Sequence, residues 1–178
     1  MTLSYTNFGD IIMKERNNYI SCFKKVNGLR LVDPNENLAK VYLRKSKSAL
    51  HMLSSAIEKQ ENEWILDISY YAKYFVIYAL FIKIGIKSEI HDCTIFALKK
   101  LFVNLGIIRE EIYKELEKSR DLRVDALYYD KSFGEKEILG RAETAPDFCL
   151  EIEEIYEKIS EQEMYRIRAE FMKMKSLI

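Results

Sequence analysis

The stretch Trp64 to Gly85, WILDISYYAKYFVIYALFIKIG, decides the fold. Ile65, Ile68, Ala72, Phe75, Ala79 and Ile82 recur at steps of three, four, three, four and three, which is the seam of a helix packed in a bundle. The same apolar density raises a membrane span as an alternative. Asp67, Lys73 and Lys83 interrupt it, and the longest uncharged run, Tyr74 to Ile82, is too short to cross a bilayer. A buried bundle helix is the better reading, and no membrane association is expected. Tyr70, Tyr74 and Tyr78 share a second face away from the seam, with Lys73 off it. That face predicts a further buried surface, packed on the fifth helix or on a partner subunit.

Helical periodicity continues on both sides. Leu38, Tyr42, Ala49, Met52, Leu53 and Ala56 mark one face of a helix expected at 36–60, with Asn35 or Asn37 as its cap. Gly85 suits a left-handed helix end and Ser88 the cap of a helix at 89–105, with Ile90, Thr94, Ala97, Leu98, Leu101 and Phe102 inward. A helix at 109–129 places Ile112, Leu116, Ser119, Leu122, Ala126 and Tyr129 on one side. Gly134, Gly140 and Pro146 make 131–146 the most loop-like part, and a final helix at 147–175 changes phase near Ser160. Before the break at Gly28 to Pro34, Ile11, Ile12, Ile20 and Phe23 form a weak helical pattern. The expected fold is all-α: an antiparallel four-helix up-and-down bundle with a fifth long C-terminal helix and an N-terminal accessory helix. Its expected parts are an arm over 1–33, the bundle over 34–160 and a helix extension over 161–178.

Lys plus Arg and Asp plus Glu both number 28 in the 178 residues, so the formal charge is zero, unlike a protein that coats nucleic acid. Heavy use of Lys, Glu and Ile leans toward a thermophilic source. Cys22, Cys93 and Cys149 are odd in number and far apart, so neither a disulfide framework nor a zinc site follows. Each is expected as a small core residue in a reducing, cytoplasmic setting. Met1 to Asp10 lacks the features of a signal peptide. His51, expected half-buried, and His91 are the two histidines, and neither has a carboxylate at ligand spacing. No metal and no cofactor is expected.

Three strings carry more specific information: Tyr70-Tyr71-Ala72-Lys73-Tyr74-Phe75, Gly85-Ile86-Lys87-Ser88-Glu89-Ile90-His91, and Arg120-Asp121-Leu122-Arg123-Val124-Asp125-Ala126-Leu127-Tyr128-Tyr129. In this order and spacing they resemble HEPN domains, particularly small stand-alone prokaryotic and archaeal ones, over about residues 36–160. The resemblance implies a helical bundle, commonly a homodimer, with links to nucleotides or RNA. It also implies a minimal nucleotidyltransferase or a toxin–antitoxin counterpart as partner. Some members are metal-independent ribonucleases whose motif is Arg, four to six residues, then His. There the Arg would neutralise the scissile phosphate and the His would move the proton. No His follows Arg120 or Arg123 at that spacing; Tyr128 stands in its place, and a phenol is a poor base at neutral pH.

The expected phosphate or nucleotide site is therefore Arg120, Arg123, Tyr128, Lys87 and His91, with Arg120, Arg123 and Tyr128 as the catalytic candidates. Against it, the two arginines can be surface residues paired with Glu115, Glu117 or Asp121, and His91 can simply close a helix corner. The leading expectation is a nucleotide- or RNA-associated binding protein that is non-catalytic or weakly active. The alternatives are an endoribonuclease with a non-standard base, Tyr128 or His91, and an interaction scaffold with no nucleic-acid role.

Overall fold

The computed structural model describes residues 20–129 and 133–178. Of the accessory helix expected within 1–27, residues 1–19 lie outside them; residues 20–27 are described, and 20–24 are helical. The elements that follow are α1 (Glu36–Glu58), α2 (Asn62–Ile84), α3 (His91–Leu98), α4 (Glu110–Tyr128), α5 (Glu135–Lys158) and α6 (Glu161–Ser176). A π-helical turn, Lys99–Val103, extends α3. The fold is the expected all-α bundle.

Helix α2 is its centre. Fifteen of its 23 residues are buried, because α1, α4 and α5 all pack on it. That surround explains why a helix long and apolar enough to cross a membrane has 78% of its apolar window inside the protein. Asn35 starts α1, its side-chain oxygen accepting the Leu38 N–H at 2.8 Å. Gly85 ends α2 in the left-handed region at φ +83°. A Cβ there would stand 2.3 Å from Arg168 Nη1 and 2.4 Å from the Val32 carbonyl oxygen. Arg168 of α6 donates to the carbonyls of Val32, Ile84 and Gly85, which ties the C-terminal helix to this corner. Beside it, β1 (Arg30–Leu31) pairs antiparallel with β2 (Ile86–Lys87). Two residues per strand are too few for a sequence pattern to show.

Several expectations need correction. The tyrosine face of α2 is buried, but not by the fifth helix. Tyr70 and Tyr74 meet α3 through His91 and Thr94, and Tyr78 packs edge-on against Tyr42 of α1. Lys73, which lies off the tyrosine face, is fully buried. Its ammonium donates to Glu115 at 2.5 Å and to Ser119, the Arg141 carbonyl and Thr144 at 3.0 Å each, joining α2, α4 and α5. The stretch expected as a loop at 131–146 is helical from Glu135, with Gly140 and Pro146 inside α5. Ile138, Ala142 and Ala145 are buried among Leu53, Ala56, Ile65 and Leu122, and this packing overrides the poor propensity of the two breakers. The last helix is two: a capping box of Ser160 and Glu163 starts α6 where the phase shifts.

The buried stripe of α1 centres on Ala39, Ser46, Leu53 and Ala56, so Met52 is 54% exposed and His51 is exposed. Ser46 holds the inner position because its hydroxyl donates to the Ala72 carbonyl at 2.8 Å, which a count of apolar residues misses. Tyr129 faces solvent at the frayed end of α4. Ser88 shapes the turn by bonding Ile90, and Ile90 is the residue that precedes α3. Cys22 and Cys93 form a disulfide across 71 residues, a pairing that spacing alone could not reveal; Cys149 is free and buried.

Candidate functional site

On α2, Asp67, Tyr70, Tyr71 and Tyr74 recur at helical spacing and form a stripe facing α3 and α4. On α4, Arg120 and Arg123 are three residues apart and share a face. His91 opens α3, and Asp92 and Cys93 follow it directly. These three elements bring one polar cluster together.

Arg123 is the fixed member. Its Nε donates to Asp67 at 2.5 Å and its Nη2 to the Tyr71 hydroxyl at 3.2 Å. The guanidinium carbon lies 4.9 Å from the Tyr71 ring centre, 5.4 Å from that of Tyr70 and 6.0 Å from that of Tyr128. Both Arg123 and Asp67 are largely buried, so this pair is poorly screened and holds its geometry. Tyr128 stands against Arg123 where the motif histidine would fall, and its ring is mostly exposed.

Arg120 is the exchangeable member. It donates to Asp92 at 2.7 Å and to Asp121 at 2.7 and 3.0 Å, and both carboxylates are well exposed. Ion pairs of that kind contribute little, roughly 0–1 kcal/mol. Arg120 also lines a polar cavity of about 540 Å³ whose wall includes Lys25, Lys99, Lys100, Asp92 and Glu117. Four cations against two carboxylates give this cavity a positive balance inside a chain of zero net charge. The π-helical turn places Lys99 and Lys100, and the Cys22–Cys93 bridge forms part of the wall.

His91 sits between the two arginine environments. Its ring stacks on Tyr74 with centroids 4.1 Å apart, and its Nδ1 is 2.8 Å from the Tyr70 hydroxyl. Burial first, then the positive Arg123, lower its pKa from the ordinary value, so the imidazole is neutral at neutral pH. Burial drives the Tyr70 phenol far above its ordinary value, so it keeps its proton. A buried hydroxyl hands that proton to an acceptor, and Nδ1 is the atom in reach. The imidazole hydrogen then resides on Nε2, which makes His91 a donor toward any ligand. Lys87 lies apart on β2, its ammonium 3.4 Å from Glu89, which also binds Arg30.

Several of the cluster's residues lie outside the site expected from the sequence, among them Asp67, Asp92, Tyr70, Lys25 and Lys99. The Asp67–Tyr70–Tyr71–Tyr74 spacing was the available signal for the first and third. Among the described residues no group of three or more His, Cys, Asp and Glu side chains has the arrangement of a metal site. A search of curated proteins returns no match. A family model described as the HEPN domain matches residues 39–162, which spans α1 to the start of α6 and contains Arg120, Arg123 and His91. The chain belongs to the HEPN domain family.

Proposed function

We propose that the chain binds single-stranded RNA or a nucleotide through its phosphates, at Arg120 and Arg123, and does not cleave it efficiently. Family membership points to a nucleotide- or RNA-related role; the finer reading rests on the site. The observation that carries it is the convergence of two arginines and a neutral histidine donor beside a cavity of positive balance. Arg120 exchanges its exposed aspartates for a phosphate oxygen, while Arg123, pinned by Asp67, supplies a second positive charge. Tyr128 and Nε2–H of His91 are further donors. The Tyr128 phenol is a poor base at neutral pH, and the Nδ1 lone pair of His91 is taken up by the Tyr70 hydroxyl, which argues against efficient cleavage.

The dimer habit of the family supports a homodimer. We place the chain as one member of a toxin–antitoxin or nucleotidyltransferase-type pair, acting in the cytoplasm. A disulfide is compatible with that setting in hyperthermophiles, whose intracellular proteins carry them, and the Lys-, Glu- and Ile-rich composition leans the same way. A second reading has one observation in its favour: His91 joins the arginines from another helix, so an endoribonuclease could use it in place of the motif histidine.

The test is a binding and cleavage assay on one preparation. A labelled single-stranded hexa-uridylate should bind the wild type, bind Arg120→Ala at least tenfold more weakly, and remain intact on a gel. Cleavage that vanishes in His91→Ala would replace this reading with the endoribonuclease. Equal binding by wild type and Arg120→Ala would remove the site.

A further inference from the structure

Between α1 and α2 runs an open apolar groove of about 490 Å³, lined by Met52, Trp64, Ile68, Tyr71 and Phe75, with Lys45 and Asp67 at its edges. Trp64 is 55% exposed and Met52 54%, which is unusual for large apolar side chains set opposite one another. Tyr71 and Phe75 stack on one another with ring centres 5.4 Å and planes 30° apart, so the floor of the groove is aromatic. The Lys45 ammonium lies 5.7 Å from the Phe75 ring centre, placing a cation over that floor.

The groove is continuous with the phosphate site. Tyr71 lines it and also accepts from Arg123; Asp67 lines it and also fixes Arg123. A phosphate at Arg123 therefore lies beside the aromatic floor, with Asp67 and Tyr71 shared between the two. We propose that this groove is a base-stacking subsite, in which one nucleobase of a single-stranded RNA lies between Trp64 and the Tyr71–Phe75 platform. The proposal rests on the phosphate-binding reading of Arg120 and Arg123. An aromatic face is sequence-tolerant because every base has a π-face. The Asp67 carboxylate accepts from a base amino group, and Lys45 meets the strand's backbone. This mixed edge of one cation and one carboxylate around aromatic rings suits a base with its ribose phosphate better than it suits a purely apolar partner face.

Trp64 is the single tryptophan of the chain, so its emission reports on the groove directly. The full chain is titrated with single-stranded hexa-adenylate RNA, following tryptophan emission and the anisotropy of an end-labelled strand together. A ribose-phosphate hexamer without bases serves as the control. The expected result is quenching that saturates with the anisotropy change, and no quenching by the base-free hexamer. Trp64→Ala should weaken hexa-adenylate by about tenfold, the scale of one base–aromatic stack, and Trp64→Phe should recover most of it. Met52→Glu, which keeps the tryptophan and charges the opposite wall, should weaken binding to a similar degree. Trp64 is exposed, and an unchanged thermal midpoint verifies that the variants fold.

Hexa-adenylate bound equally by wild type and Trp64→Ala, yet lost in Arg120→Ala, would overturn the groove and leave the phosphate site standing. No binding by the wild type would overturn both. A variant that turns a dimer into a monomer without changing RNA affinity would assign the groove to a second copy of the chain and overturn the proposal.

Discussion

Replacing Lys73 by Met tests the polar knot that joins α2, α4 and α5. The lysine is fully buried, and its ammonium has four oxygen partners. Burial lowers its pKa, while Glu115 opposes the shift. Burial raises the Glu115 carboxyl, but Lys73, Thr144 and Arg141 outweigh burial and hold it below its ordinary value. Removing one member of a buried pair costs about 3–5 kcal/mol, because the other charge is left uncompensated. Here Glu115 keeps Arg141 and Thr144 and retains some exposure, and Met fills nearly the space of the lysine stem. The expected loss is therefore at the lower end, about 3 kcal/mol, or roughly 6–12 °C in Tm for a domain of this size. Urea unfolding at constant slope is the assay. A loss under about 1 kcal/mol, the scale of an exposed pair, would refute the reasoning. Glu115→Gln should also be strongly destabilising, since it leaves the ammonium in the core without a counter-charge. Its cost should shrink as pH rises toward the ordinary lysine value, where the unfolded chain also sheds the proton.

Reducing the Cys22–Cys93 bridge, or Cys22→Ser, should lower stability by up to about 4 kcal/mol, the chain-entropy value for a loop of this length, read as a fall in melting temperature. Gly85→Ala should cost more than the roughly 1–2 kcal/mol of a left-handed alanine, because its methyl also meets Arg168 and the Val32 carbonyl; denaturant titration checks it. His91 has a folded-state pKa below the unfolded value of about 6.5. Between the two values the unfolded chain holds the extra proton, so the stability tied to neutral His91 is complete above pH of about 6.5 and is lost as pH falls through the folded pKa. His91→Gln should flatten that part of the stability–pH curve.

Helix positions were legible because burial in a bundle imprints a period of about 3.6 residues. The Ile65-to-Ile82 seam and the Ile112-to-Ala126 stripe carried that imprint plainly. It failed where a polar side chain took a core position: Ser46 and Lys73 are inside because each finds buried oxygen partners, a fact distributed over three helices. It failed again at Gly140 and Pro146, where breakers hid the Ile138–Ala142–Ala145 stripe. The arginines of the candidate site could be named from one string. His91 could be named from a second string, but the rest of their surroundings could not, since Asp67, Asp92 and the cavity lysines come from separate elements. The disulfide depended on the same long-range closure.

Whether Arg120 and Arg123 engage phosphates is measured most directly by the salt dependence of RNA affinity. Each phosphate neutralised on a single strand contributes about −0.7 to the slope of log K against log salt. For labelled single-stranded hexa-adenylate, the wild type should show a slope of about −1.4 or steeper. Arg120→Ala should be shallower by about 0.7, while Lys114→Ala, on the outer face of α4, should leave the slope unchanged. A slope that Arg120→Ala leaves unchanged would contradict the assignment of phosphate binding to this cluster.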